Sequence, residues 1–115
     1  MDRIQLSARF PNIPSGNLPE FKKLAARALE ITKGEAGTVQ YDWFFNDDQT
    51  VCVAREAFVN SDAVLAHMGN LGELIGKLIE VGGGCEFEVF GSPSAQLLEA
   101  GAALSPSVFA YFQGK

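Results

Sequence analysis

GTVQYDWFFNDDQTVCVAREAFVNSDAVLAH, residues 37–67, holds two strand-like segments, the turn between them and the start of a helix that carries the chain's one histidine, His67. Residues 38–45 and 50–58 are rich in aromatic and β-branched side chains, the types that fit a pleated, half-buried surface. Asn46-Asp47-Asp48-Gln49 between them has the composition of a hairpin loop, so the two segments are expected to pair antiparallel. Asn60 or Ser61 can cap the helix that follows. Its first part carries Val64, Leu65 and Met68, and its second part carries Leu71, Leu74, Ile75, Leu78 and Ile79 at helical spacing, with a break expected at Gly69.

Working outward toward the N-terminus, Ile4, Leu6, Ala8 and Phe10 alternate with Gln5, Ser7 and Arg9. That period of two marks a strand with one apolar face, and Pro11 ends it. Asn17 stands three residues before Glu20 as a capping box, and Leu18, Phe21, Leu24, Ala25, Ala28 and Leu29 make one apolar helix face that stops near Gly34 and Gly37. Toward the C-terminus, Gly82 to Gly84 stop the second helix, and residues 85–90 read as a last long strand ending at Gly91-Ser92-Pro93. Residues 94–100 read as a short capped helix and 107–112 as a short terminal strand. The order is β-α-β-β-α-β, the split plan of ferredoxin-like α+β domains with an antiparallel sheet. Two right-handed crossovers put both helices on one face of four strands. The core is expected over about residues 4–91, with the helix and strand of 94–113 appended.

The chain has 115 residues, 47% of them hydrophobic, which suits one domain with a real core and is too short for two. Nine basic against fourteen acidic residues give a net charge of -5, and they are scattered. No basic stripe is available for a phosphate backbone, so nucleic acid is not an expected partner. No apolar run approaches the roughly 20 residues a membrane helix needs, and residues 1–4 do not open a signal peptide. The expected location is therefore the cytoplasm. Cys52 and Cys85 lie in apolar company and are read as small hydrophobes. One histidine and two distant cysteines have no zinc-type spacing, so no metal is expected.

The strand aromatics exceed what one covered sheet face requires. Tyr41, Trp43 and Phe45 point one way and Phe44 the other, while Val39 and residues 51–53 add more apolar area. A sheet with helices on one side should not leave that surface in water. Burying each aromatic is worth about 1.5–3 kcal/mol, so a homodimer through the open sheet face is expected. Gln5, Arg9, Asp42 and Glu88 on that face would then have to pair across it.

Several of these segments in their order resemble the antibiotic-biosynthesis-monooxygenase (ABM) domain family, the dimeric α+β barrels. The matching stretches are Gly37-Thr38-Val39-Gln40-Tyr41, then Glu56-Ala57-Phe58, then Ala63 through His67, with Gly91-Ser92-Pro93-Ser94 after the last strand. The resemblance covers about residues 4–91. It implies a cofactor-independent monooxygenase acting on a small aromatic or quinol-type molecule, in which an electron-rich anion itself reduces O2. The alternative is a non-catalytic small-molecule-binding dimer of the same fold, and a third reading is an assembly module whose interior is filled by its own side chains.

A cofactor-free oxygenase needs a base of near-neutral pKa and a dry aromatic pocket. His67 is the candidate base, with Glu56 or Tyr41 as its orienting partner, and His67 and Glu56 form the candidate catalytic pair. Tyr41, Trp43, Phe58 and Met68 are the candidate substrate-binding residues. Their plain alternative is core packing, and Glu56 could instead pair with Arg55, Arg9 or a backbone donor across the dimer. The haem-degrading branch of the family depends on a first-strand asparagine, a helical tryptophan and a histidine farther along that helix. Here Ser7 and Arg9 stand in the first strand, His67 falls where the tryptophan would be, and Lys77 lies near the histidine position, so no haem cofactor is expected.

Overall fold

The computed structural model describes residues 2–115. Strand β1 (Ile4–Phe10) is followed by helix α1 (Leu18–Thr32), the hairpin β2 (Thr38–Phe45) and β3 (Cys52–Phe58), helices α2 (Ser61–Leu71) and α3 (Leu74–Val81), and β4 (Glu86–Phe90). Helix α4 (Ala95–Ala100) and strand β5 (Ser107–Phe109) complete it. The sheet order is β2-β3-β1-β4-β5. The first four strands pair antiparallel throughout, in the ferredoxin-like α+β arrangement. The fifth differs from a purely antiparallel sheet: β5 joins β4 in parallel. Two parallel neighbours need a long connection, and α4 with its trailing turn supplies it.

Alternation along the strands sorts the side chains. Ile4, Ala8 and Phe10 of β1 and Cys52, Ala54 and Phe58 of β3 are buried toward the helices, and the register sets Ile4 opposite Phe58, Ala8 opposite Ala54 and Phe10 opposite Cys52. Two clusters form there. One gathers Phe10, Phe21, Cys52, Leu74 and Leu78, with Trp43 and Phe45 against it. Phe21 is its hub, edge-on to Phe10 at 4.9 Å and fully enclosed, a burial worth about 2–3 kcal/mol. The other gathers Ile4, Phe58, Val64, Val89 and Leu97.

Local details depart from the sequence expectations in three places. Asn17 does not cap α1; a single 3-10 turn at Ser15–Asn17 precedes the helix, and the Asn17 amide donates instead to the Val81 carbonyl at 3.0 Å. The helix break falls at Gly72, whose φ of 53° ends α2, while Gly69 lies inside the helix. The terminal strand stops at Phe109 rather than Phe112. Asn60 and Ser94 do cap α2 and α4, accepting from Ala63 N at 2.9 Å and Leu97 N at 3.1 Å. Among the described residues, no helix is long and apolar enough to cross a membrane.

Candidate functional site

A cavity of about 100 Å³ lies where the two clusters meet, between the helix face of the sheet and α2, α3 and α4. Phe10, Leu71 and Leu78 wall one end, and Val64, Val89 and Leu97 the other. Its polar side chains are Tyr41, Trp43, Glu56 and His67, each placed by a regular element: three by the helix face of β2 and β3, the fourth by α2.

His67 is 4% exposed. Its Nδ1 lies 2.8 Å from Glu35 Oε1 and 3.5 Å from Thr32 Oγ1. Glu35 sits in the short connection between α1 and β2, and its carboxylate also accepts from Thr38 Oγ1 at 2.8 Å and from Asn70 Nδ2 at 3.1 Å. Burial pushes the Glu35 carboxyl up, but the bonds from Asn70, Thr38 and His67 outweigh it and leave the pKa below the ordinary value. An ionised carboxylate only accepts, so the proton on the neutral ring belongs to Nδ1 and the lone pair to Nε2. Thr32 donates its hydroxyl to the Ala28 carbonyl at 2.7 Å, so it leaves that assignment unchanged.

On the opposite edge, Nε2 faces Glu56 Oε1 at 3.6 Å, beyond hydrogen-bond length. Burial, with the negative charge of Glu35 behind it, raises the Glu56 pKa to about 8. Near neutral pH Glu56 is therefore an uncharged acid. The pairing of Glu56 with Arg55 or Arg9 does not occur within the chain: Glu56 is on the helix side of β3, whereas Arg55 and Arg9 are exposed on the other face. The His67 ring meets Tyr41 edge-on, with ring centroids 5.0 Å apart, and Phe58 at a tilt, 5.2 Å away. The Tyr41 phenol is itself pushed up by burial and by Glu56.

Five of the six candidate residues from the sequence line the cavity: His67, Glu56, Tyr41, Trp43 and Met68. Phe58 does not; it is fully buried behind the His67 ring. The orienting carboxylate is Glu35, not Glu56 or Tyr41. Sequence reasoning passed over Glu35 because a glutamate between a helix end and a glycine looks like a solvated loop residue; its one signal was the nearby Thr38, which can donate to it. Among the described residues, no group of three or more His, Cys, Asp or Glu is placed to hold a metal ion. Cys52 is buried and Cys85 half-buried, both free, and burial pushes both thiols up.

No family model and no curated protein matches the sequence. Solved structures do match the fold. MupZ from Pseudomonas fluorescens superposes with a TM-score of 0.80 at 24% identity, over 98% of this chain and 92% of that one, so the match takes in the appended C-terminal elements. SnoaB from Streptomyces nogalater, described as a cofactor-independent oxygenase and solved as the N63A mutant, matches with a TM-score of 0.62 at 16% identity over 83% of this chain and 97% of that one. A Caulobacter crescentus protein described as a "putative antibiotic biosynthesis monooxygenase" matches with a TM-score of 0.62 at 19% identity, over 76% of this chain and 87% of that one. The chain therefore has the α+β, ferredoxin-like fold of the antibiotic-biosynthesis-monooxygenase structures, as its sequence resemblance to that family implies.

Proposed function

We propose that this protein is a cofactor-independent monooxygenase for a small aromatic or quinol-type substrate, with His67 as its base. The observation that carries the reading is the Glu35–His67 pair at 2.8 Å, set at the wall of an apolar cavity with the free Nε2 on the side of Glu56. Glu35 holds the ring in one tautomer and stabilises the imidazolium that forms when Nε2 takes a proton, the part a buried carboxylate plays behind a catalytic histidine. With Glu56 uncharged, Nε2 is not tied into an ion pair and an anion in the cavity meets no second negative charge.

The chemistry balances without an added reductant. Nε2 removes a proton from an activated ring methylene or quinol; the substrate anion passes an electron to O2, and the two radicals join in a carbon–oxygen bond. For a methylene, loss of the second hydrogen leaves a carbonyl, and the other oxygen atom departs as water. The substrate supplies every electron. The fold shared with SnoaB, itself described as a cofactor-independent oxygenase, supports the same reaction class.

The test is oxygen consumption over a panel of quinols and aryl methylene compounds. The native protein should consume oxygen with at least one of them, and His67→Ala should lower that rate by about 10²-fold or more; equal rates in the two proteins, or none in either, remove the catalytic claim. The competing reading is a non-catalytic ligand-binding dimer. What favours it is that Nε2 already faces a carboxyl group, which suits a histidine that only hydrogen-bonds. Saturable binding without turnover would select it. Under either reading the proposal includes a homodimer through the open face of the sheet and a cytoplasmic location.

A further inference from the structure

The cavity is smaller than the molecules proposed for it. An engineered apolar cavity of about 150 Å³ holds one benzene, and this one measures about 100 Å³. On the reading of the cavity as the substrate site, an aromatic ring enters only if one wall moves.

The walls are held unequally. The sheet wall is bonded strand to strand across β2, β3, β1 and β4. Helices α2 and α3 bury Val64, Leu71, Leu74 and Leu78, and α2 is tied to the α1–β2 connection by the bonds of His67 and Asn70 to Glu35. The remaining wall is α4 with the 3-10 turn at Ala102–Leu104, which presents Leu97, Leu98, Gly101 and Leu104 to the cavity. Leu97 is the one buried residue of that segment. Among the described residues, a single hydrogen bond leaves residues 92–105, from Ser94 N to Ser61 Oγ at 3.0 Å. The others close within it: Leu97 N on Ser94 Oγ, Leu98 N on Ser94 O, Gly101 N on Leu97 O, and Leu104 N on Gly101 O. A segment with one apolar anchor and self-contained bonding is the part of a fold that opens most readily.

Its two ends are also built to turn. Gly91 has a φ of 126° and Ser105 a φ of 49°, the second in the left-handed region that side chains seldom occupy. Residues at the ends of elements are where a rigid segment absorbs a change of backbone angle.

Resting on the proposed use of the cavity, we infer that residues 92–105 form a lid over it, hinged at Gly91 and Ser105. When the lid lifts, α4 withdraws Leu97 from Ile4, Phe58, Val64 and Val89 and opens the space beside His67 to an aromatic ligand. Strand β5 stays paired with β4 and keeps the far end of the lid attached.

His67 reports the opening, because it is the only histidine in the chain. Diethyl pyrocarbonate, a molecule larger than benzene, acylates a neutral imidazole nitrogen, and the product is read by its ultraviolet absorbance. His67 lines the cavity, is 4% exposed and has Nδ1 engaged by Glu35, so the reagent reaches Nε2 only when something opens. The native protein should react about 10²-fold or more slowly than N-acetylhistidine. Leu97→Ala, which removes the lid's anchor, should react about tenfold or more faster than native, whereas Phe21→Leu, which loosens the core hub away from the lid, should stay within about twofold. Leu104→Ala takes the place of Leu97→Ala, with the same expectation, if the latter does not fold. The inference is overturned if the native protein reacts like N-acetylhistidine, if the lid variant reacts no faster than native, or if Phe21→Leu speeds the reaction as much. No substrate has to turn over. The lid-specific acceleration in a protein that consumes no oxygen would retain the lid and remove the base; oxygen consumption without that acceleration would do the reverse.

Discussion

Glu56 couples the site to the stability of the whole chain. Its carboxyl is raised to about 8, by burial first and by the charge of Glu35 second, against 4.5 as its ordinary value. Between those two values the folded protein holds a proton that the unfolded chain has lost. The stabilisation is thus complete below about pH 4.5, fades as pH rises, and is gone above about 8. At its fullest, below about pH 4.5, it amounts to about 5 kcal/mol. Glu56→Gln stays neutral at every pH, so its melting temperature should exceed that of the native protein at pH 8–9 and the fall in stability across the neutral range should flatten. Parallel melting curves for the two proteins from pH 5 to 9 would show that the acid is not held neutral. Glu35 has the opposite sign: its lowered pKa gives stability that is present at neutral pH and is lost as pH falls through the acid range. At this scale the sequence singled out His67 by residue type and Tyr41 and Trp43 as strand aromatics, and the family resemblance pointed to Glu56. It could not find Glu35, because 32 residues separate it from His67 and only the folded chain joins them.

Among the elements, the approach of β2 to α2 positions the histidine. Gly37 opens β2, and a Cβ placed there would come within 2.6 Å of the Ala63 Cβ and 3.5 Å of a Val59 methyl. Its backbone carbonyl meanwhile accepts from Val59 N at 3.0 Å. Gly37 is therefore required by contact and not by an unusual φ. Gly37→Ala should push α2 outward, cost about 1–3 kcal/mol in thermal or denaturant unfolding, and loosen the Glu35–His67 bond one turn along the helix. The Nδ1 proton of His67, the only imidazole in the chain, should broaden or vanish from the downfield proton spectrum. An unchanged melting temperature together with an intact resonance would refute the role. Strand alternation and caps were legible because each is written in adjacent residues: Asn60 and Ser94 cap where their side chains suggest. The break between α2 and α3 was misplaced at Gly69 because a glycine inside a helix and one that ends it look alike, and only Gly72 adopts positive φ. Asn17 left its cap for the Val81 carbonyl, 64 positions away, a partner no local pattern discloses.

For the whole molecule, the open sheet face is the surface with the most to gain from association. Val39 and Phe44 are 56% and 53% exposed, and Phe90 and Phe109 stack on each other at 5.4 Å while remaining 38% and 47% exposed. Gln5, Arg9, Arg55 and Glu86 stand exposed among them. On the proposed symmetric dimer, sedimentation should give twice the 12.4 kDa chain mass, and Phe44→Asp, which puts a charge on that face along its β2 edge, should raise the dissociation constant by about tenfold or more without changing the circular dichroism. A native protein that sediments as a single chain at micromolar concentration would sink the dimer.

Read alone, the sequence determined the element order, the inward and outward faces of the first two strands and the excess of apolar sheet surface, because each of these follows from the spacing of neighbouring side chains. Only the tertiary structure decided which carboxylate orients His67, that Phe58 lies behind the ring and not on the cavity wall, and that β5 runs parallel to β4. Those depend on residues brought together from distant parts of the chain, where burial and the pairing of charges, and not local propensity, set the outcome.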